Sequence, residues 1–174
     1  EEKYCVQSCD DDFVIPDTIS KCADFLEANP DYGTCIGKQV NFYFEQEDFD
    51  KAYGKVVSQT RPMGVSIEDD NVSVRARNFW IDCSDPPVVC FAVTKTETQK
   101  SIRNITKHFA MNEDMFEFLL FDTLIVSGKI KVLNKLGYIM QRSIVRFFNH
   151  DLLNDFSLIG EKWKICEKEF SEII

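Results

Sequence analysis

The sequence predicts an α+β domain, with two N-terminal helices packed on a long, curved, mostly antiparallel sheet. Three observations carry that reading. An apolar stripe at helical spacing opens the chain, short runs of strict apolar–polar alternation follow, and turn residues leave only short connections between those runs.

Asp17 to Ala28 reads as the first helix. Pro16 precedes it, Asp17 or Thr18 can cap it, and Ile19, Cys22, Phe25 and Leu26 share one side. Asn29-Pro30-Asp31-Tyr32-Gly33 ends it with turn chemistry. Cys35 to Glu45 reads as extended, with Val40, Phe42 and Phe44 alternating against Asn41 and Tyr43. Glu47 to Gln59 returns to the helical period through Phe49, Ala52, Tyr53, Val56 and Val57, and Arg61-Pro62 stops it.

From Met63 the pattern turns to strands. Val65 and Ile67 alternate, as do Val72, Val74 and Ala76, and then Val89, Phe91 and Val93. Thr96 to Phe109 suits a helix by spacing and a strand by composition. Phe116 to Val126 and Lys129 to Leu133 flank Ser127-Gly128 as a hairpin would, although Asn112 could cap a helix over 112–121 instead. Asn134 to Gly137 reads as a turn, Tyr138 to Phe148 as a strand, and Phe156 to Ile159 and Trp163 to Phe170 as the closing strands.

At 174 residues the chain suits a single domain, spanning 1–174. A hydrophobic fraction of 44% is enough to build a core, and fifteen Phe against two Trp make that core Phe-rich. The formal net charge of −9 argues against nucleic acid, which needs clustered Lys and Arg. No apolar stretch reaches the ~20 residues of a membrane span. The chain starts at Glu1 without Met, as either a mature product after signal cleavage or a trimmed chain would.

The seven cysteines Cys5, Cys9, Cys22, Cys35, Cys83, Cys90 and Cys166 are spread from end to end. Cys5-x3-Cys9 has no partner pair at zinc spacing, and no Cys-x-x-Cys occurs, so neither a metal nor a redox-active dithiol is expected. The expectation is a disulfide-braced, extracellular protein. Cys83 and Cys90 bracket a Pro86-Pro87 turn and form the one pair that local chemistry suggests; the other pairings stay open. The odd cysteine is a buried thiol or the link in a homodimer. Asn71-Val-Ser and Asn104-Ile-Thr fit the N-glycan acceptor pattern, and Asn71 is expected at an exposed hairpin tip.

The last stretch, Phe156-Ser-Leu-Ile-Gly-Glu-Lys-Trp-Lys-Ile-Cys-Glu, resembles the closing strands of the nuclear transport factor two-like superfamily. The order helix, strand, helix, long strands is similar too. The resemblance implies a curved sheet enclosing an apolar pocket, and it transfers no catalytic residue.

No phosphate loop, nucleophile elbow or His-Glu-x-x-His is present. The acidic runs Asp10-Asp11-Asp12 and Glu68-Asp69-Asp70 lack the alternating ligands of a calcium loop, so no cofactor is expected. Adjacent aromatics such as Phe147-Phe148 cannot both face one core from a strand. One of each pair therefore meets a second layer, a partner chain or a ligand, and Phe116, Phe118, Phe147 and Phe148 become the candidate contact residues. The reading is a secreted, glycosylated binding protein whose ligand is a protein partner or a small apolar molecule. The alternative is a pocket enzyme, a hydrolase or isomerase. It would use a carboxylate from an apolar run (Asp82, Glu117 or Asp122) with His108 or His150.

Overall fold

A computed structural model describes residues 2–10, 12–44, 56–106 and 113–143. The chain divides into two compact units, Glu1–Phe42 with Ser58–Gln141, and Tyr43–Val57 with Arg142–Ile174. The second lies almost wholly outside the described residues, so the architecture below is that of the first. The strands expected after Ser143, including the stretch that carries the superfamily resemblance, also lie outside them, as do Phe147, Phe148, His108, His150 and Cys166.

The molecule is α+β, with helices and a curled mixed sheet. Its strands are β1 (Tyr4–Cys5), β2 (Phe13–Val14), β3 (Tyr32–Phe44), β4 (Val56–Gln59), β5 (Val93–Lys95) and β6 (Lys129–Ser143). Its helices are α1 (Pro16–Ala28), α2 (Val72–Arg77), α3 (Thr96–Thr106) and α4 (Glu113–Ser127). The strand order is β1-β5-β3-β6-β2, with β4 also paired to β3. Pairs β1/β5, β3/β5 and β2/β6 are antiparallel. Contacts between β3 and β6 climb both strands together: Asp31 with Lys129, Gly37 with Gly137, Gln39 with Met140. These two central strands therefore run parallel, and a long crossover carrying α2, α3 and α4 joins them, as parallel pairing demands.

Helix α1 forms where the stripe predicts it. Pro16 occupies its first turn, but the preceding Ile15 provides no side-chain cap. Thr18 is buried rather than capping, and its hydroxyl donates to the Leu136 carbonyl at 2.6 Å. Asp17 instead pairs with Lys21 one turn on. Cys22 and Leu26 bury against Cys35 and Val93 of the sheet.

Several strand expectations are corrected. The second N-terminal helix, 47–59, lies largely outside the described residues, and its described end, Val56–Gln59, is strand β4. Val72–Arg77 is helix α2, not a strand, because Asn71 accepts from the Ser73 and Val74 amides and nucleates a first turn. The alternating Val72 and Val74 are left exposed. Phe116 to Val126 lies in helix α4, so Ser127-Gly128 joins a helix to a strand rather than two strands. Asn134 to Gly137 is no turn but continuous β6. Thr96–Thr106 resolves as a helix. Over residues 38–43 of β3 the buried side chains are Gln39 and Asn41, while Val40 and Phe42 are half-buried. The Gln39 amide nitrogen donates to Asn41 Oδ1 at 2.6 Å, while Gln39 Oε1 is buried without a hydrogen-bond partner among the described residues.

The largest apolar core joins Ile67, Phe79, Val89, Cys90 and Ile102 to Leu120, Leu124 and Ile125 of α4 and Ile130 of β6. It closes at a buried cation. Arg75 is 7% exposed; its Nε donates to the Ile125 carbonyl at 3.1 Å and its Nη1 to the Asp69 and Asp70 carbonyls at 2.9 and 3.0 Å. The guanidinium thus meets the C-terminal end of α4, where carbonyls lack helical partners and the macrodipole favours a cation.

Charged side chains lace the start of β6. Lys129 bridges Asp31 at 3.0 Å and Asp70 at 2.6 Å, which holds its ammonium more basic than usual. Glu68 accepts from Lys131 at 2.8 Å and Tyr32 at 2.7 Å. Burial pushes the Glu68 carboxyl up, but these two donors outweigh it and hold it below the ordinary 4.5. Hydrogen bonding to Lys129 lowers Asp31 in the same way, and Lys3 lowers Glu27. Carboxyls lowered in the fold bind fewer protons than they do in the unfolded chain. Their stabilisation is therefore complete above the unfolded value and is lost as pH falls through the folded one. Urea unfolding of the wild type should show stability level near neutrality and falling below about pH 4.5. Lys131→Met should flatten part of that acid limb.

Candidate functional site

Three places on the described unit bring chemistry-bearing side chains together. The first is the cysteine set. Cys22 on α1 and Cys35 on β3 are 1% and 0% exposed and belong to the same apolar cluster. The neighbouring Cys22 thiol and then burial push the ionisation of Cys35 far up. Cys5 on β1 stands 3.9 Å from the Thr94 hydroxyl, and Cys9 is exposed beyond it. Cys83 and Cys90 both touch the main core. Their segment is not a turn between strands. A π-helical turn, Asn78–Asp82, precedes it and a 3-10 turn, Val89–Phe91, closes it. Asp85 holds it in place by accepting from the Gly64 amide at 3.2 Å, while its carbonyl takes the Val65 amide. Among the described residues no two sulfurs stand at bonding distance.

The second place is the acidic turn between β1 and β2. Asp12 is half-buried and accepts from the Tyr138 hydroxyl at 2.7 Å and from the Gln141 amide at 2.9 Å. Tyr138 is fully buried and its ring stacks on Phe91 with centroids 4.3 Å apart. Burial, then the hydrogen bond to Asp12, pushes its phenol well above the usual range. The turn is therefore clamped to β6 by Asp12, while Asp10 remains exposed.

The third place is an apolar face on α4 and the π-helical turn. Ile81 is 75% exposed, Val126 65% and Trp80 42%. Trp80 Nε1 donates to Asp122 at 2.9 Å, and Asp122 and Val126 lie four residues apart on one face of α4. Phe79 and Phe121 contact the Trp80 ring at 5.0 and 5.9 Å and fix it from beneath.

The expected enzyme carboxylates do not meet in an apolar pocket. Asp82 is exposed and pairs with Arg77 at 3.0 Å; Asp122 is exposed and holds Trp80. Glu117, Phe116 and Phe118 fall in α4. Asn71 is exposed, at a helix N-cap rather than a hairpin tip; its side-chain oxygen makes the cap, and a glycan would use its nitrogen. Asn104 is exposed on α3.

No protein-family model matches the chain, and no curated protein matches it. Sequence reasoning missed Trp80, Ile81 and Val126. Their only sequence signal is a Trp-Ile pair beside acids, which becomes a face once Asp122 pulls the indole onto α4. It also left Cys22 and Cys35 unassigned to each other, although Cys22 already sat on the buried stripe of the first helix.

Proposed function

We propose that the chain is a secreted, glycosylated binding protein whose ligand is a protein partner. The observation that carries this is the outward apolar face of Trp80, Ile81 and Val126. Large exposed apolar side chains grouped on a surface mark interaction sites, and Trp is enriched at their centres. Among the described residues, the cleft between Ile36, Gln39, Met63 and Pro86–Val88 has room for about one water molecule, whereas an organic ligand needs a pocket of roughly 300 Å³ or more, so that cleft does not serve a small apolar ligand. The dispersed cysteines and the exposed Asn71 and Asn104 support the extracellular part of the reading.

The test places a photo-crosslinking amino acid at position 81, and in a control at Lys21, in the secreted full-length chain. The expected result is a discrete protein adduct at position 81 and none at 21. With the captured partner purified, Ile81→Asp should weaken binding at least about tenfold, as loss of a central contact does. No adduct, or equal adducts at both positions, would remove the reading. Mass loss on endoglycosidase treatment checks the acceptors at Asn71 and Asn104 in the same preparation.

A further inference from the structure

We propose that Cys22 and Cys35 form a disulfide if the chain folds in an oxidising medium, and that the finished fold shields the pair from later exchange. For its occurrence in the cell this rests on the secreted reading above; the pairing itself rests on geometry.

Helix α1 lays Cys22 onto β3 beside Cys35, and both side chains are closed off from solvent by Leu26 and Val93. The register Cys35↔Val93 fixes the strand side of the contact. The Leu26 turn of α1 fixes the helix side. Only the rest of α1, the Asn29–Asp31 turn and the start of β3 separate the two in sequence, so their encounter costs little chain entropy during folding. Both cysteines belong to one small buried cluster, so a bond of about 2.05 Å needs a local approach of helix and strand rather than a rearrangement of the fold.

The reaction is a thiol–disulfide exchange with an oxidised dithiol such as glutathione disulfide. The two thiols give up two protons and two electrons, one sulfur–sulfur bond forms between Cys22 and Cys35, and the oxidant's own bond is cleaved to two thiols. The attacking species is a thiolate that the oxidant must reach. In the unfolded chain both conditions hold. In the folded protein the oxidant's access is closed, because both residues are fully buried, and the neighbouring Cys22 together with burial disfavours the Cys35 thiolate. The redox state of the pair is thus decided while the chain folds.

The experiment uses the full chain and a mixture of reduced and oxidised glutathione. One sample is refolded from denaturant in that mixture; the other is folded fully reduced and then incubated in it. Both are alkylated and digested with trypsin. The two cysteines fall in one peptide, between Lys21 and Lys38, so the bridge appears as the loss of two hydrogens and of both alkyl groups. The expected result is the bridge in the refolded sample. In the prefolded sample its formation should be at least about 100-fold slower than in denaturant. The bridged protein should melt roughly 6–12 °C above the reduced one. Full alkylation of the peptide after oxidising refolding, or bonding of either cysteine elsewhere, would overturn the pairing. A Cys5→Ser/Cys9→Ser variant removes scrambling with the two cysteines nearest the N-terminus and must give the same answer. Material from the native source separates the two readings. A fully reduced protein there, with the bridge forming in vitro, removes the secreted reading and keeps the pair; bridges that omit Cys22 and Cys35 remove the pair alone.

Discussion

Replacing Gly37 with valine should lower the melting temperature by roughly 10 °C or prevent folding altogether. A Cβ at this position would lie 2.6 Å from Thr18 Cγ2, 2.7 Å from Gly137 Cα and 2.7 Å from the Lys135 carbonyl oxygen. Two of those three atoms are backbone, so no rotamer change relieves the clash. The position is where α1, β3 and β6 come together, and Thr18 cannot retreat without giving up its bond to Leu136. Overpacking of this kind costs about 1–3 kcal/mol where side chains can yield, and more where they cannot. Gly33→Ala is the control. Its nearest new contacts, at 3.2 Å, are tight but not prohibitive, and its melting temperature should drop far less. Thermal unfolding followed by circular dichroism compares the two directly.

Arg75→Met should cost about 3 kcal/mol. Methionine keeps the apolar stem but removes every donor. The buried Ile125 carbonyl then loses its donor from Arg75, and the part-buried carbonyls of Asp69 and Asp70 lose theirs. The loss should appear as a lower urea midpoint at unchanged slope, the sign that stability and not the extent of unfolding has changed. Arg75→Lys should recover only part of it, because one ammonium cannot span three acceptors that a planar fork reaches. Arg77→Met, which removes an exposed pair with Asp82, should stay within about 0.5 kcal/mol of wild type. Equal losses for Arg75 and Arg77 would mean that the buried cation does not hold α2, α4 and the Asp69–Asp70 turn together.

The parts of this fold that were legible beforehand are those with one strong local signal. Helix α1 has a proline at its start, an apolar stripe and a turn at its end. Strand β3 has length and alternation. What misled was β-branched alternation without regard to what precedes it. Val72-Ser-Val-Arg looks like a strand until Asn71 turns back on the following amides and starts a helix. Phe116 to Val126 has no clear period because α4 is apolar on more than one side, and such segments cannot be assigned from pattern alone. Strand β3 shows a similar limit. Its alternation is legible, but the side that faces inward carries Gln39 and Asn41, and Val40 and Phe42 are half-buried. The candidate face was illegible for a different reason. Trp80 and Val126 are far apart in sequence, and only the indole bond to Asp122 makes them neighbours. The cysteine pair needed the angle at which α1 lies on the sheet, which no spacing records.

Because β3 and β6 lie side by side and point the same way, the middle of the sheet is assembled from segments separated by most of the described chain. During synthesis β3 emerges early and must wait, its inner edge unpaired, until Lys129 and the residues after it have left the ribosome. Such distant partners make assembly slow, and an exposed edge is a place where another nascent copy can attach. A truncated product ending before β6 would carry that hazard permanently, which gives a cell reason to destroy it rather than store it.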